Sequence, residues 1–379
     1  MSMYGNGRMT VNVHRYQYEN DRVYLTMGVP GGYAVRNYLV DGKDIFTSNQ
    51  AFFNVLTAYW NLAYSDGEFD FTILPSALMI TVRSTVETYI ENGKMLLDML
   101  LNTHYDEALF ASAKAEAKEV FAKSYKNEVF RARCKAFEVT EYNKDFSLGA
   151  LIRDYEEITF AQFQQCGKML LIPDNICIHI SGNVEEKPDL SAWQTPEVQA
   201  NAHRTAVPGG VSRDLYLRED LHIVLPARNG CNCSALAVDF LNDQLTHLDR
   251  FFFLSMLAEW IPLEIVDTAF DRLDASIFFS NELLRPVKPI LKEGITEEAF
   301  LKAQKSLVGK YLGMIKHLPD AYGVQTVWLM LHGIDILHFI KQLQSCSYEQ
   351  FVEGWKTAKP IFTEAQVIMR KEQVGHVQK

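Results

Sequence analysis

No stretch of this chain is apolar for long enough to cross a bilayer. The run 251–258, Phe-Phe-Phe-Leu-Ser-Met-Leu-Ala, falls well short of the roughly 20 residues a membrane helix needs. The first residues, Met-Ser-Met-Tyr-Gly-Asn-Gly-Arg-Met, have no apolar core of a signal peptide, so a cytoplasmic protein is expected. Basic charge is also scarce. Lys and Arg number 37 against 47 Asp and Glu, a net charge of -10, which argues against a nucleic-acid or anionic-membrane surface. Six cysteines occur with no CxxC and no disulfide-framework spacing, consistent with reduced thiols. Cys231-Asn-Cys233 is a close pair, but structural zinc sites usually need four such ligands. Nucleotide and hydrolase signatures are missing too: no GxGxxG after a strand, no P-loop, no GxSxG. Neither H-x-x-E-H nor H-E-x-x-H occurs, and the histidines stand singly, His14, His179 and His222 in strand-like runs.

What remains is a globular composition, 48% hydrophobic and 22% charged over 379 residues, enough for two domains. The first stretch alternates as strands do, at 11–16 and 23–27, with Asn20-Asp21 as the turn between them. A helix is predicted after Thr47-Ser48-Asn49, any of which could cap it, with Phe52, Phe53, Leu56, Tyr59, Trp60 and Ala63 on one face. Residues 69–82 alternate again. Helices are expected over 86–101 and from Asp106 through the Ala/Lys/Glu-rich 111–126. The low-hydrophobicity stretch 185–214, with Pro188, Pro196, Pro208 and Gly209-Gly210, reads as a linker. After it the same order recurs: strands at 221–225 and 234–240, a helix near 243–260, a strand at 275–279, then helices from Leu283 and Thr296.

The recurrence is sharpest at helix starts. Asp106, between Tyr105 and Phe110, and Thr296, between Ile295 and Phe300, each place a cap between an apolar residue and a Phe at the fourth helical position. Thr159-Phe-Ala-Gln162-Phe163 and Ser347-Tyr-Glu-Gln350-Phe351 are matching capping boxes, each followed by a proline, Pro173 or Pro360, and a strand-like run. Phe163 lies 53 residues after Phe110, and Phe351 lies 51 after Phe300. Two such matches in one order point to duplication. The expected fold class is α+β: two tandem homologous domains, 1–184 and 215–379, joined by the 185–214 linker, each an antiparallel-rich sheet with helices on one face.

The segment 147–163, Ser-Leu-Gly-Ala-Leu-Ile-Arg-Asp-Tyr-Glu-Glu-Ile-Thr-Phe-Ala-Gln-Phe, continues to a Pro173-Asp-Asn175 turn and a strand ending Gly182-Asn-Val184. It resembles the close of the first domain in M16 (pitrilysin/insulinase-type) metallopeptidases. Residues 292–305, with Gly294-Ile-Thr-Glu-Glu-Ala-Phe300, resemble a second-domain helix of that family. The resemblance implies a half clam-shell of two such domains. It also implies an inverted zinc motif on the first helix, where two His bind zinc and a Glu serves as base. The matching positions are Asn54 and Ala58 for the ligands and Thr57 for the base. Glu119, or Glu116, would correspond to the distal ligand, although a solvated helix face accounts for either.

The resemblance therefore implies a non-catalytic subunit that holds no cofactor, with zinc in a homologous partner. That partner would join it as a heterodimer, or the chain would pair with a second copy of itself, and the joint task would be processing of a peptide such as a bacteriocin precursor. A stand-alone, chaperone-like peptide-binding scaffold is the alternative, and an active peptidase with an unrecognised site a third. In the family an extended peptide adds to an edge strand of the first sheet, which here corresponds to Phe69, Asp70, Phe71, Thr72, Ile73 and Leu74, ending at Pro75. An Arg and a Tyr of the non-catalytic subunit act on the substrate in many members. Arg272, Arg285, Tyr311 and Tyr322 are available in the second half, and the sequence does not choose among them.

Overall fold

The computed structural model describes residues 2–6, 8–18, 21–65, 67–140, 148–194, 205–208, 221–228, 230–261, 267–269, 276–280, 291 and 293–371. The chain opens with β1 (Ser2–Asn6); alternating apolar residues build β2 (Met9–Arg15) and β3 (Arg22–Pro30), and the short β4 (Asn37–Val40) and β5 (Asp44–Thr47) follow. Helix α1 (Phe52–Ala63) precedes β6 (Phe69–Ile73) and β7 (Ala77–Thr85). Five helices follow: α2 (Tyr89–Leu101), α3 (Glu107–Tyr125), α4 (Glu128–Thr140), α5 (Leu148–Glu157) and α6 (Phe160–Leu170). Then come β8 (Cys177–Gly182), β9 (Ala206–Pro208), β10 (Leu221–Ala227) and β11 (Cys231–Phe240). The remainder is α7 (His247–Trp260), β12 (Asp267–Ala269), β13 (Ser276–Ser280), α8 (Glu297–His317), α9 (Pro319–Leu331), α10 (Ile336–Ser345), α11 (Tyr348–Ala358) and β14 (Pro360–Lys371).

Two sheets carry the architecture, and their strand orders match once β1, which has no counterpart in the second, is set aside. The first runs β1-β2-β8-β3-β7-β6 and the second β10-β14-β11-β13-β12. In each, one parallel pair (β2 with β8, β10 with β14) adjoins an antiparallel run (β8-β3-β7-β6, β14-β11-β13-β12). The helix order matches as well, α3 to α6 against α8 to α11. Both anticipated capping boxes form, with Gln162 N–H donating to the Thr159 hydroxyl and Gln350 N–H to that of Ser347. Their aromatic partners meet alike: Phe110 and Phe163 rings lie 5.0 Å apart, Phe300 and Phe351 rings 5.3 Å. Asp106 and Thr296 cap α3 and α8 through the backbone N–H of Leu109 and Ala299.

The chain divides into two compact units, each assembled from three stretches. The first comprises 1–118, 149–210 and 308–341; the second, 119–148, 211–307 and 342–379. Every strand of the six-stranded sheet lies within 1–184 and every strand of the five-stranded sheet within 215–379, yet each unit takes a helix from the other stretch of sequence. In the first unit, α1 and α2 lie on one face, where Phe71 stacks on Trp60 and Asn92 bonds Ser84. Helix α9 covers the opposite face, packing on β3, β8 and β7. Gly323 of α9 sits against Thr26 so closely that a Cβ would overlap the threonine side chain. In the second unit, α4 packs on β11, β14 and β13 in the same way.

Several local expectations shift. Helix α1 has Ala51 at its cap with no side-chain bond, so none of Thr47, Ser48 or Asn49 occupies the cap. Helix α2 starts at Tyr89, because Thr85 to Thr88 form a turn closed by hydrogen bonds to the Thr88 hydroxyl. The 185–214 stretch is tied down at two points. Trp193 is fully buried against Gly93 with its indole N–H on the Ile90 carbonyl, and β9 pairs with β4. Asn175, the last residue of the Pro173 turn, brackets Ala206 from both sides, accepting from its N–H and donating to its carbonyl. Asn20 of the first turn, residues 195–204 and 209–214 of the linker stretch, the helix start at Leu283, and Arg272 and Arg285 lie outside the described residues.

Candidate functional site

Helix α1 lacks a cap of its own and is held from outside. The buried Asp154 carboxylate accepts the Gln50 N–H at 2.7 Å, the Asn49 side-chain oxygen accepts the Ala51 N–H, and the Asn49 amide donates to the Asp154 carbonyl. A carboxylate at a helix N-terminus also suits the helix dipole. The helix is then buried from Phe52 to Trp60 except at Asn54, with Phe52 and Tyr59 packed on Phe163.

The three positions that the family resemblance sets against a zinc motif do not fit the metal. Thr57 is buried and its hydroxyl donates to the Asn54 carbonyl at 3.0 Å, leaving no base. Ala58 is buried and has no donor atom to offer, and Asn54 presents a neutral amide. Glu119 pairs with Lys123 at 2.8 Å on an exposed helix face, and that hydrogen bond holds its carboxyl below the ordinary range. Among the described residues no three His, Cys, Asp or Glu side chains converge as metal ligands.

The expected peptide-binding residues form β6 and its end. Strand β6 is the last strand of the six-stranded sheet, and among the described residues it pairs with β7 alone. Its hydrogen-bonding phase follows from two contacts. Leu74 N–H bonds the Ala77 carbonyl, and Gly31 N–H bonds the Ser76 carbonyl. In an antiparallel ladder the bonded pairs then alternate, so Asp70 and Thr72 bond β7 while the N–H and C=O of Phe69, Phe71 and Ile73 point outward. The side chains divide the other way. Phe71 stacks on Trp60 of α1 at 5.8 Å and Phe69 meets Tyr64 edge-on. Asp70 lies on the α9 face of the sheet, its side chain 67% exposed. There Arg83 of β7 donates to Asp320 in the first turn of α9 at 2.9 and 3.1 Å and approaches Asp70 at 3.4 Å.

Behind this edge the α9 face is polar, unlike the aliphatic opposite face. Thr26 and Thr81 bond each other, Tyr18 bonds Ser181 at 2.6 Å, and His179 Nδ1 bonds the Asn12 side chain at 2.8 Å. The Tyr322 ring of α9 packs edge-on against both His14 and His179. Burial pushes the His14 ring below its ordinary value and His179 down to about 3, so both stay neutral at pH 7. Tyr311 and Tyr322 are both buried, Tyr311 against Phe339, so neither can touch a substrate as the structure stands. Sequence reading did not single out the Arg83–Asp320 pair or the His–Tyr cluster. The available signal was polar residues at alternate positions of apolar strands (Asn12 and His14, Thr26, His179 and Ser181), which mark a face that meets something other than a lipid-like core.

No protein-family profile matches the sequence, and no curated protein matches it. Solved structures do share the fold. An M16-like peptidase from Alicyclobacillus acidocaldarius superposes with a TM-score of 0.70 at 12% identity, covering 97% of this chain and 98% of that one. The inactive domain of a peptidase M16 from Pseudomonas fluorescens gives 0.60 at 13% identity, with 98% of each chain covered. The periplasmic protease PqqL from Escherichia coli gives 0.63 at 11% identity, covering 97% of this chain and 47% of that one. No single helix among the described residues is long and apolar enough to cross a membrane. The chain thus has the mixed α/β fold of M16-like peptidases over nearly its whole length.

Proposed function

We propose that this chain is the non-catalytic subunit of a two-component M16-type zinc peptidase, binding a peptide along β6 while a zinc-bearing homologue supplies the chemistry. The observation that carries this reading is the combination of an open strand edge with an adjoining helix that cannot hold zinc. Phe69, Phe71 and Ile73 offer a row of outward main-chain donors and acceptors, while α1 carries Asn54, Thr57 and Ala58 where a peptidase needs ligands and a base. Peptide capture by strand addition needs the first and not the second. A cytoplasmic role in trimming a ribosomally made precursor, such as a bacteriocin, accords with the reduced cysteines and acidic surface.

The test is elemental analysis for zinc with a peptidase assay on the same preparation, alone and with a zinc-bearing M16 homologue encoded nearby. The expected result is no zinc and no cleavage alone, and cleavage when the homologue is added. Stoichiometric zinc with chelator-sensitive cleavage by this chain alone would overturn the proposal. Peptide binding without cleavage under any pairing would favour a stand-alone peptide-binding scaffold instead.

A further inference from the structure

We infer that β6 selects, among extended peptides, those that place a lysine or arginine opposite Asp70. The inference rests on the reading that peptides add to this edge, and it concerns which peptides do so.

The geometry of the edge sets the argument. Asp70 directs its own N–H and C=O inward to β7, so on its outer side it occupies a non-hydrogen-bonded position. In an antiparallel pair the residues facing each other at such positions approach most closely, with Cα atoms about 4.5 Å apart. Cross-strand opposite charges there are favourable, and like charges are not. The side chain that lands opposite Asp70 therefore meets its carboxylate at short range, on the α9 face.

That carboxylate is available. Arg83 approaches Asp70, but its two hydrogen bonds go to Asp320, at 2.9 and 3.1 Å against 3.4 Å to Asp70. One guanidinium thus stands between two carboxylates, and the trio carries a net negative charge. Asp70 keeps 67% of its side chain in solvent, and Glu68, two residues earlier in the chain, is exposed as well. Peptide side chains on the other face of the strand would lie beside Phe69 and Phe71, which favour apolar groups. The preferred peptide is an alternating strand with apolar residues on one face and a basic residue on the other. The same carboxylate disfavours edge-to-edge pairing of two copies through β6, which would bring Asp70 near its own equivalent.

The test uses fluorescence anisotropy of the full chain with a labelled nonapeptide of alternating threonine and valine carrying lysine at its centre. Two copies carry glutamine or glutamate there, and a fourth keeps the lysine but is N-methylated at alternate amides. The lysine peptide is expected to bind about threefold tighter than the glutamine peptide and more so than the glutamate peptide. The difference should vanish in Asp70→Asn and shrink in high salt. Equal binding of the lysine and glutamine peptides, with no binding of the N-methylated lysine peptide, would overturn the charge inference and leave strand addition standing. A lysine preference that survives Asp70→Asn would overturn it too, assigning the preference to the acidic chain at large. No binding of any peptide would overturn the strand-addition reading and this inference together.

Discussion

At the residue scale, the first unit keeps two imidazoles where a positive charge is unwelcome. His179 is fully buried between its strand and the Tyr322 ring, and its Nε2 has no hydrogen-bond partner among the described residues. Burial lowers its folded value from 6.5 to about 3 and lowers that of His14 as well. The groups that face this pair are Asn12 and Tyr16 from β2 and the segment after it, Thr26 from β3, Ser181 from β8, and Tyr322 from α9; none of these brings a carboxylate to the rings. Above pH 6.5 both forms of the protein hold the rings neutral and no pH dependence arises. Below it the unfolded chain takes up protons that the folded chain refuses, so stability falls as pH drops from 6.5 toward 3. For His179 the slope approaches about 1.4 kcal/mol per pH unit. Urea midpoints at pH 7.0, 6.0 and 5.0 should show the decline, and His179→Gln should remove this part of it.

The second unit answers a similar problem with an ion pair. Arg250 of α7 is buried, its guanidinium 3.8 Å from the buried Asp239 and over the Phe240 ring at 5.8 Å, with a bond to the Asn242 carbonyl. Asp239→Ala removes a counter-charge from beside a buried cation, at a loss of about 3–5 kcal/mol in chemical denaturation. The double substitution with Arg250→Met should recover much of that loss, because it removes the buried charge and keeps apolar volume.

At the element scale, the capping boxes are the part of the fold most fully written in local sequence. Thr159 with Gln162 and Ser347 with Gln350 close as expected, and each holds its helix so that Phe163 or Phe351 meets the Phe of the preceding long helix. Thr159→Ala and Ser347→Ala should each cost about 1 kcal/mol in urea unfolding, and by similar amounts, since the two boxes are built alike. The start of α7 carries a third box, Thr246 with Asp249, that also stood open to reading. Helix α1 was legible by its apolar spacing but its cap was not. Asn49 takes up the Ala51 N–H locally, but the carboxylate that accepts the Gln50 N–H is that of Asp154, more than a hundred residues later, and no local pattern encodes such a distant partner. The edge position of β6 was legible through Pro75 and the alternation of 69–74. Its hydrogen-bonding phase depends on the register with β7, which single residues do not reveal.

At the scale of the whole molecule, the duplication was readable and the exchange of helices was not. Residues 319–331 are apolar on nearly every side, Tyr322, Gly323, Thr326, Val327, Trp328 and Leu329 all being buried, which announces a buried helix without saying under which sheet. The structure places it on Thr26, Gly28 and His179 of a sheet whose strands all precede residue 185. Deleting everything after 184 would therefore strip that face and expose Asn12, Thr26, His179 and Ser181, polar groups whose packing depends on α9, together with the apolar rim around Gly28 and Met79. The fragment 215–379 would likewise lose α4 from β11 and β14. Neither half by itself contains all the segments of either compact unit. Separately expressed 1–184 and 215–379 should each fail to show a cooperative unfolding transition by circular dichroism, whereas the intact chain should show one. An intact chain nicked between 195 and 204 should hold both pieces together through gel filtration, because each unit still draws strands from one piece and a helix from the other. Cooperative melting of the isolated 1–184 fragment would show instead that its sheet does not need α9, and the polar face would then require another explanation.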